Sequence, residues 1–230
     1  MTSTPADRTV PTGEGLDVVI AGGHGQIALL LERRLTDAGH RVRGIIRNPD
    51  HAQDLAAAGA ESIVLDLEDT SAEELAAAVR GADAVVFAAG GGPNSGAARK
   101  ETVDKGAAIL LADAAELAGV RRYVMVSAMG TDRADPTSDE VFQIYLRAKA
   151  AADADLQRRD LDWTIVRPGA LTDDPGTGRV RLGASTGYGE VPRADVAHVL
   201  HAVLETPSSA GRVVELIGGE TPVTEAVAAL

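Results

Sequence analysis

Leu16-Asp17-Val18-Val19-Ile20-Ala21-Gly22-Gly23-His24-Gly25-Gln26-Ile27-Ala28-Leu29-Leu30 decides the fold. A short β-branched run, a glycine-rich turn and a helical pattern follow one another without a spacer, the order of a strand, a tight exit and an immediate helix. Each glycine has a separate steric reason. Gly22 permits the sharp exit from the strand, and Gly25 lets a ligand approach the backbone. Ala28, where a third glycine often stands, is still small enough for close helix–strand packing. The free N–H groups at the start of such a helix form a site for phosphate. The turn is therefore expected to hold a dinucleotide pyrophosphate through Gly22, Gly23, His24, Gly25, Gln26 and Ile27.

The next strand ends in Ile45-Ile46-Arg47-Asn48-Pro49. NAD-binding chains usually place a carboxylate here for the ribose hydroxyls. This chain places Arg47, whose guanidinium suits a 2′-phosphate, and no acid precedes Asp50. NADP is the expected cofactor, with NAD as the alternative.

Further along, short Val/Ile/Leu runs alternate with Ala/Leu/Glu-rich stretches of helical period. Strands are expected at 17–21, 41–46, 62–65, 84–88, 122–126, 163–166 and 213–216. Helices are expected at 25–39, 51–59, 71–80, 95–118, 138–159 and 193–205, with a short one near 222–229. Thr70, with Glu73 and Glu74, is read as opening the third helix, and Asp195 or the residue before it as capping the sixth. Right-handed crossovers then give an α/β chain with one doubly wound Rossmann-fold domain over 16–230, a parallel sheet of about seven strands and the order 3-2-1-4-5-6-7. Residues 1–15, polar and rich in Pro and Gly, read as a flexible tail. The glycine-containing segment 171–192 reads as a mobile lid over the strand ends.

The chain has 230 residues, 45% hydrophobic and only 3% aromatic, enough apolar side chain for one large core. A net charge of −12 argues against nucleic acid and anionic membranes as partners. The absence of cysteine excludes disulfides, thiolate nucleophiles and Cys-ligated zinc. No apolar stretch approaches the length of a membrane span or a signal-peptide core, so the expected location is cytoplasmic. His198 and His201 lie on a helix as surface or core residues, and no metal is expected. The expected partner is a small-molecule substrate, and the expected state a monomer or homodimer.

The fifth strand ends at Val126-Ser127, and the helix beyond carries Tyr145 and Lys149, four residues apart and so on one face. An ammonium beside a phenol is expected to lower the phenol's pKa, letting Tyr145 exchange a proton while Ser127 steadies a carbonyl oxygen that gains charge. With these residues the chain resembles the short-chain dehydrogenase/reductase superfamily, and more closely its atypical branch of small NAD(P)H-binding, NmrA-like proteins. The resemblance also runs through Leu65-Asp66-Leu67, Ala88-Ala89-Gly90, Val103-Asp104, Thr164–Gly169 and Arg193–Ala197. It implies catalysis by Ser127, Tyr145 and Lys149, with Lys149 also on the nicotinamide ribose. Asp66 and Leu67 would lie near adenine, Ala88, Ala89 and Gly90 along the ribose-pyrophosphate, and Pro168 and Gly169 beside the nicotinamide. The turn Ala89-Gly90-Gly91-Gly92 lacks the Asn of the better-known reductases. Three functions stay open: a reductase of a carbonyl, quinone or flavin-like acceptor, a non-catalytic nucleotide sensor, or an epimerase that recycles its nicotinamide. Only about 60 residues follow the sixth strand, too few for the substrate domain of a sugar-nucleotide epimerase.

Overall fold

The computed structural model describes residues 15–92 and 95–230, so the tail expected over 1–15 lies, apart from Gly15, outside the described residues. The strands are β1 (Asp17–Ala21), β2 (Arg41–Ile46), β3 (Glu61–Val64), β4 (Ala84–Phe87), β5 (Arg122–Val126), β6 (Asp162–Pro168), β7 (Ala170–Thr172), β8 (Arg179–Gly183), β9 (Glu190–Pro192), β10 (Arg212–Gly218) and β11 (Thr221–Pro222). The helices are α1 (Gln26–Asp37), α2 (Ala52–Ala57), α3 (Ala72–Val79), α4 (Ala97–Arg99), α5 (Ala108–Ala118), α6 (Val141–Leu156), α7 (Arg193–Leu204) and α8 (Val223–Ala228).

The main sheet runs β3-β2-β1-β4-β5-β6-β10-β8-β11, with parallel pairing from β3 to β10. All seven expected strands stand in the expected order. Beyond them, β8 pairs antiparallel with β10 and β11 with β8, while β7 and β9 form a separate parallel pair. The segment read as a lid thus supplies three strands, one of them within the main sheet. Arg179-Val180-Arg181-Leu182 alternates polar and apolar residues, and Val180 is fully buried.

Alternation along the strands divides the core. Val18 and Ile20 pack with Ala28, Leu31 and Leu35 of α1 and with α7 and α8 on one face. Val19 and Ala21 pack with Leu75, Leu111 and Leu156 of α3, α5 and α6 on the other. A sheet covered on both faces is what near-continuous apolar strands require.

Two of the expected helix starts differ in detail. Ser71, not Thr70, caps α3: its side chain accepts from Glu74 N–H while the Glu74 carboxylate accepts from Ser71 N–H. Thr70 instead donates to the Glu74 side chain at 2.9 Å. Asp195 does not cap α7. Its buried carboxylate accepts from the N–H and hydroxyl of Thr177 and from Gly178 N–H, pinning the turn before β8 to the helix.

Between α4 and α5 the backbone forms a π-helix over Lys100–Ala107. Such widened turns recur at functional sites because they re-aim side chains. Here the turn directs Lys100, Val103 and Asp104 inward.

Candidate functional site

The chain runs outward from β1 to β3 on one side and from β4 to β10 on the other, so the sheet has its topological switch between β1 and β4. Crevices at the carboxyl ends of strands beside such a switch bind ligands in open α/β sheets. A cleft of about 360 Å³ opens there.

The glycine turn is shaped by two constraints. Gly22 has φ +83°, and a Cβ on it would lie 2.6 Å from the Ala89 backbone. Both conformation and space exclude a side chain. Gly23 donates its N–H to Ile45 carbonyl at 2.9 Å, and Ala88 donates to Ala21 carbonyl at 3.0 Å, so the loops after β1, β2 and β4 are tied together.

Of the residues expected to hold a dinucleotide, Gly22, His24, Gly25, Arg47, Asp66, Leu67, Ala88, Ala89 and Gly90 line the cleft. Gly23, Gln26, Ile27, Lys149, Pro168 and Gly169 are not among the residues that line it. Gly23 is buried with its N–H already bonded, Gln26 is exposed, and Ile27 packs against the core. Pro168 is buried in β6, and a Cβ on Gly169 would strike the Gly189 carbonyl at 2.2 Å, so that glycine serves a close backbone crossing. His24 stacks on His51 at 3.6 Å between ring centres and bonds Asp54 at 2.7 Å.

The cleft also contains residues that no sequence pattern singled out. Glu68 Oε2 accepts from Arg47 at 3.3 Å and from Arg99 at 2.9 Å, and its Oε1 accepts from the Thr102 hydroxyl at 2.6 Å. The Asp66 carboxylate accepts Glu68 N–H at 3.0 Å, shaping the loop after β3.

Beside the cleft lies a buried cluster of charges. Lys149, almost fully buried on α6, donates from Nζ to the Val126 carbonyl at 3.1 Å and lies 3.6 Å from Asp104. Asp104 also accepts Gly91 N–H at 3.0 Å, which ties the glycine loop after β4 to the same cluster. Lys100 donates to the Gly92 carbonyl at 2.6 Å and stands 5.3 Å from the centre of the Tyr145 ring. One turn beyond Lys149, buried Asp153 pairs with Arg167 at 2.9 Å.

Burial pushes the Lys149 ammonium below its ordinary pKa, opposed chiefly by Asp104 and Asp153. Burial likewise raises the Asp153 carboxyl, against Ser127, Arg167 and Lys149. Tyr145 departs from expectation. Its pKa is raised well above the usual phenol value, first by burial and then by Asp104 and Asp153. The Lys149 charge is committed to Asp104 and a carbonyl, so Tyr145 stands as a protonated phenol rather than a phenolate. Ser127 closes β5, donating its backbone N–H to the Val166 carbonyl at 2.8 Å. Its buried Oγ makes no hydrogen bond of ordinary geometry among the described residues, although it acts on the Asp153 carboxyl and lowers its pKa, and Asp104 Oδ1 has only the 3.6 Å ion pair with Lys149.

A third cluster lies where the strands begin, at the end of the sheet opposite the cleft. The side chains of His40, His201 and Glu205 bring one ligand atom each within 4.8 Å of the others. His40 Nδ1 accepts Leu16 N–H at 2.9 Å, which leaves the proton on Nε2, directed at Glu205 at 3.3 Å. That tautomer makes a hydrogen-bonded link rather than a metal ligand.

A family profile described as NAD(P)H-binding matches residues 22–207, from the glycine turn to just beyond α7. The chain belongs to the NAD(P)H-binding family. It is 36% identical over 213 residues to the Bacillus subtilis (strain 168) "uncharacterized sugar epimerase YhfK", covering 92% of this chain and 99% of that one. Among solved structures it is similar to a Bacillus halodurans protein provisionally classed as an NAD-dependent epimerase/dehydratase, with 34% identity and a TM-score of 0.87 over 94% of this chain and 100% of that one. It is similar also to the oxidoreductase ylbE of Lactococcus lactis, with 26% identity and a TM-score of 0.83 over 94% and 96% of the two chains. Among the described residues, no helix is long and apolar enough to cross a membrane.

Proposed function

We propose that the chain is an NADPH-dependent reductase of a small carbonyl, quinone or flavin-like acceptor, working at the junction of the cleft with the Tyr145–Lys149 cluster. The observation that carries this reading is the set of buried polar atoms there without a hydrogen bond of ordinary geometry among the described residues, foremost Ser127 Oγ beside the Asp153 carboxyl. A buried hydroxyl without a partner costs stability unless a ligand uses it. It stands at the carboxyl end of β5, where a substrate oxygen would need a donor.

The dinucleotide, when bound, supplies a hydride. The remaining steps belong to the protein. The Ser127 hydroxyl donates to the acceptor oxygen as charge builds on it. Tyr145, held protonated by its surroundings, gives that oxygen its proton. Lys149, neutralised by Asp104, orders the floor of the site and holds the Val126 carbonyl. Arg47 faces the cleft where a 2′-phosphate distinguishes NADPH from NADH. The oxidoreductase description of ylbE supports this reading.

The epimerase descriptions of YhfK and the Bacillus halodurans protein favour a second reading, in which the nicotinamide stays bound and no net oxidation occurs. A screen of carbonyl, quinone and flavin acceptors, following NADPH absorbance, separates the two. The reductase reading expects turnover that falls on the order of 10²- to 10⁴-fold in Tyr145→Phe while NADPH affinity is kept. Absence of turnover with every acceptor, together with copurifying nucleotide, would establish the epimerase reading instead.

A further inference from the structure

To steady an acceptor oxygen, the Ser127 hydroxyl must point its hydrogen at that oxygen, and a serine hydroxyl turns freely unless a neighbour fixes it. The neighbour is Asp153 on α6. Both residues are almost fully buried. Arg167, in the strand beside Ser127, directs two donors at one oxygen of Asp153, with Nε and Nη2 each 2.9 Å from Oδ2. Asp153 Oδ1 is left without a hydrogen bond of ordinary geometry among the described residues, and so is Ser127 Oγ, which acts on the same carboxyl. Neither atom is open to solvent.

Between two such atoms the serine hydrogen can lie in one of two ways. A carboxylate has no hydrogen to give, so Oδ1 draws the Ser127 hydrogen to itself. A carboxylic acid donates from Oδ1 to Ser127 Oγ, which leaves the serine hydrogen free for a substrate. We propose that Asp153 is a positioning residue for Ser127: with a proton on Oδ1 it donates to Ser127 Oγ and turns the serine hydrogen to the acceptor oxygen, and without that proton it withdraws the hydrogen. The inference rests on the reductase reading above. Burial, the largest influence on Asp153, raises its carboxyl above the ordinary range and favours the acid form, against Ser127, Arg167 and Lys149. The other charged groups on the elements packed against α6 are already engaged. Lys149 pairs with Asp104 of the π-helix, and Lys100 bonds the Gly92 carbonyl. Arg99 of α4 is held by Glu68, Asp113 and Glu116 of α5 by Arg159, and Asp132 pairs with Arg133 in the turn after β5. Tyr145, two turns back on α6, is a neutral phenol.

The test is the worth of the Ser127 hydroxyl as a function of pH. Turnover of a carbonyl, quinone or flavin acceptor with NADPH is measured as kcat from pH 5 to 10 in wild type, Ser127→Ala, Asp153→Asn and the double variant. The ratio within each pair, with and without the hydroxyl, cancels every other titration, that of Lys149 included. In the wild-type pair, loss of the hydroxyl should cost on the order of 10²-fold at the acid end, and the cost should shrink to about threefold as pH rises. Asparagine stands for the acid form, with an amide donor for Ser127 and a carbonyl for Arg167. In the Asp153→Asn pair the cost should therefore stay constant within about twofold across the range. A cost that does not vary with pH in the wild-type pair overturns the role of Asp153, and that pair decides alone if Asp153→Asn does not fold. A cost that shrinks equally in both pairs overturns it too, by assigning the titration to another group. Wild type that turns over no acceptor overturns the reductase reading as well, whereas the preceding two results leave that reading standing.

Discussion

The two ends of the sheet hold different kinds of buried polar group. At the end where the strands begin, Arg122 is largely buried, yet its terminal nitrogens donate to the carbonyls of Asp162 and Val203 and to the side chains of Thr164 and Ser209, at 2.7 to 2.9 Å. Thr164 and Ser209 bond one another's surroundings in turn, Thr164 Oγ1 to the Ser209 carbonyl and Ser209 Oγ to the Thr206 carbonyl. At the end where the strands finish, Ser127, Asp104, Asp153 and Glu32 all hold buried oxygens without a hydrogen bond of ordinary geometry among the described residues. Arg122 Nε, Arg43 Nη2 and His201 Nε2 lack hydrogen-bond partners among the described residues at the first end as well, so the difference is one of kind: spare ring and guanidinium nitrogens on groups otherwise bonded there, and hydroxyl and carboxylate oxygens beside the cleft at the other.

Glu32 offers the largest test of this contrast. It lies fully buried on α1 against Gly23 and Gly44, so close that a Cβ on Gly44 would meet Glu32 Oε1 at 2.6 Å. Burial without a partner raises its pKa from 4.5 to about 8. Because the folded state holds this proton more tightly than the unfolded chain, the contribution of Glu32 to stability is fully present below pH 4.5 and is lost as pH rises toward 8. At about 1.4 kcal/mol per pH unit the full loss approaches about 5 kcal/mol. Glu32→Met removes the group and keeps its volume. Denaturant melts across pH 5 to 9 should show the variant gaining on wild type as pH rises. A difference that stays flat with pH would mean that Glu32 is ionised or solvated in the folded state.

Arg122 should behave in the reverse manner. Burial lowers its pKa to about 10, still well above neutrality, so the guanidinium stays charged and needs all its acceptors. Arg122→Met leaves two carbonyls and two hydroxyls short of a donor, and should cost roughly 3 to 5 kcal/mol with no slope between pH 6 and 8. Nucleotide affinity measured below the melting transition should not change. A loss of affinity in folded Arg122→Met would show that the two ends are energetically coupled after all.

The contrast also explains what the sequence could disclose. Strands β1, β2, β4 to β6 and β10 were legible because a sheet buried on both faces demands unbroken Val/Ile/Leu runs, and the turn Gly22–Gly25 because its steric needs are written in glycine. Strand β8 was hidden by the glycines around it, although its own alternation carried the signal. Glu32 was legible in principle, since it occupies the apolar stripe Ala28-Leu31-Leu35 of α1 where a charge is out of place. Glu68 on a loop and Arg99 in α4 lie 31 residues apart, and Asp104 acquires its place only through a π-helix that period-3.6 reasoning does not anticipate. The Tyr145–Lys149 pair was readable as two residues on one face. Their charge balance was not, because burial, its first cause, and Asp104 come only with the fold, although Asp153 lies one turn beyond Lys149 on the same helix.

Asp104 provides the smallest and most discriminating effect. It does two separable things, accepting Gly91 N–H and neutralising Lys149. Asparagine can keep the first and loses the second, whereas alanine loses both. If the hydrogen bond holds the glycine loop in shape for the dinucleotide, Asp104→Ala should weaken NADPH and NADH alike by about tenfold, the worth of one charge-assisted bond. Asp104→Asn should bind both nucleotides nearly as wild type does. Its defect should appear in turnover, with activity failing at lower pH than in wild type because Lys149, already depressed by burial, loses the nearest group that keeps it charged. Equal weakening of nucleotide binding in both variants would assign the effect to charge, and the glycine loop would then need no tether from the π-helix. Unchanged binding in both would confine Asp104 to the reaction itself, and the reserve of unpartnered atoms at this end would serve the substrate rather than the cofactor.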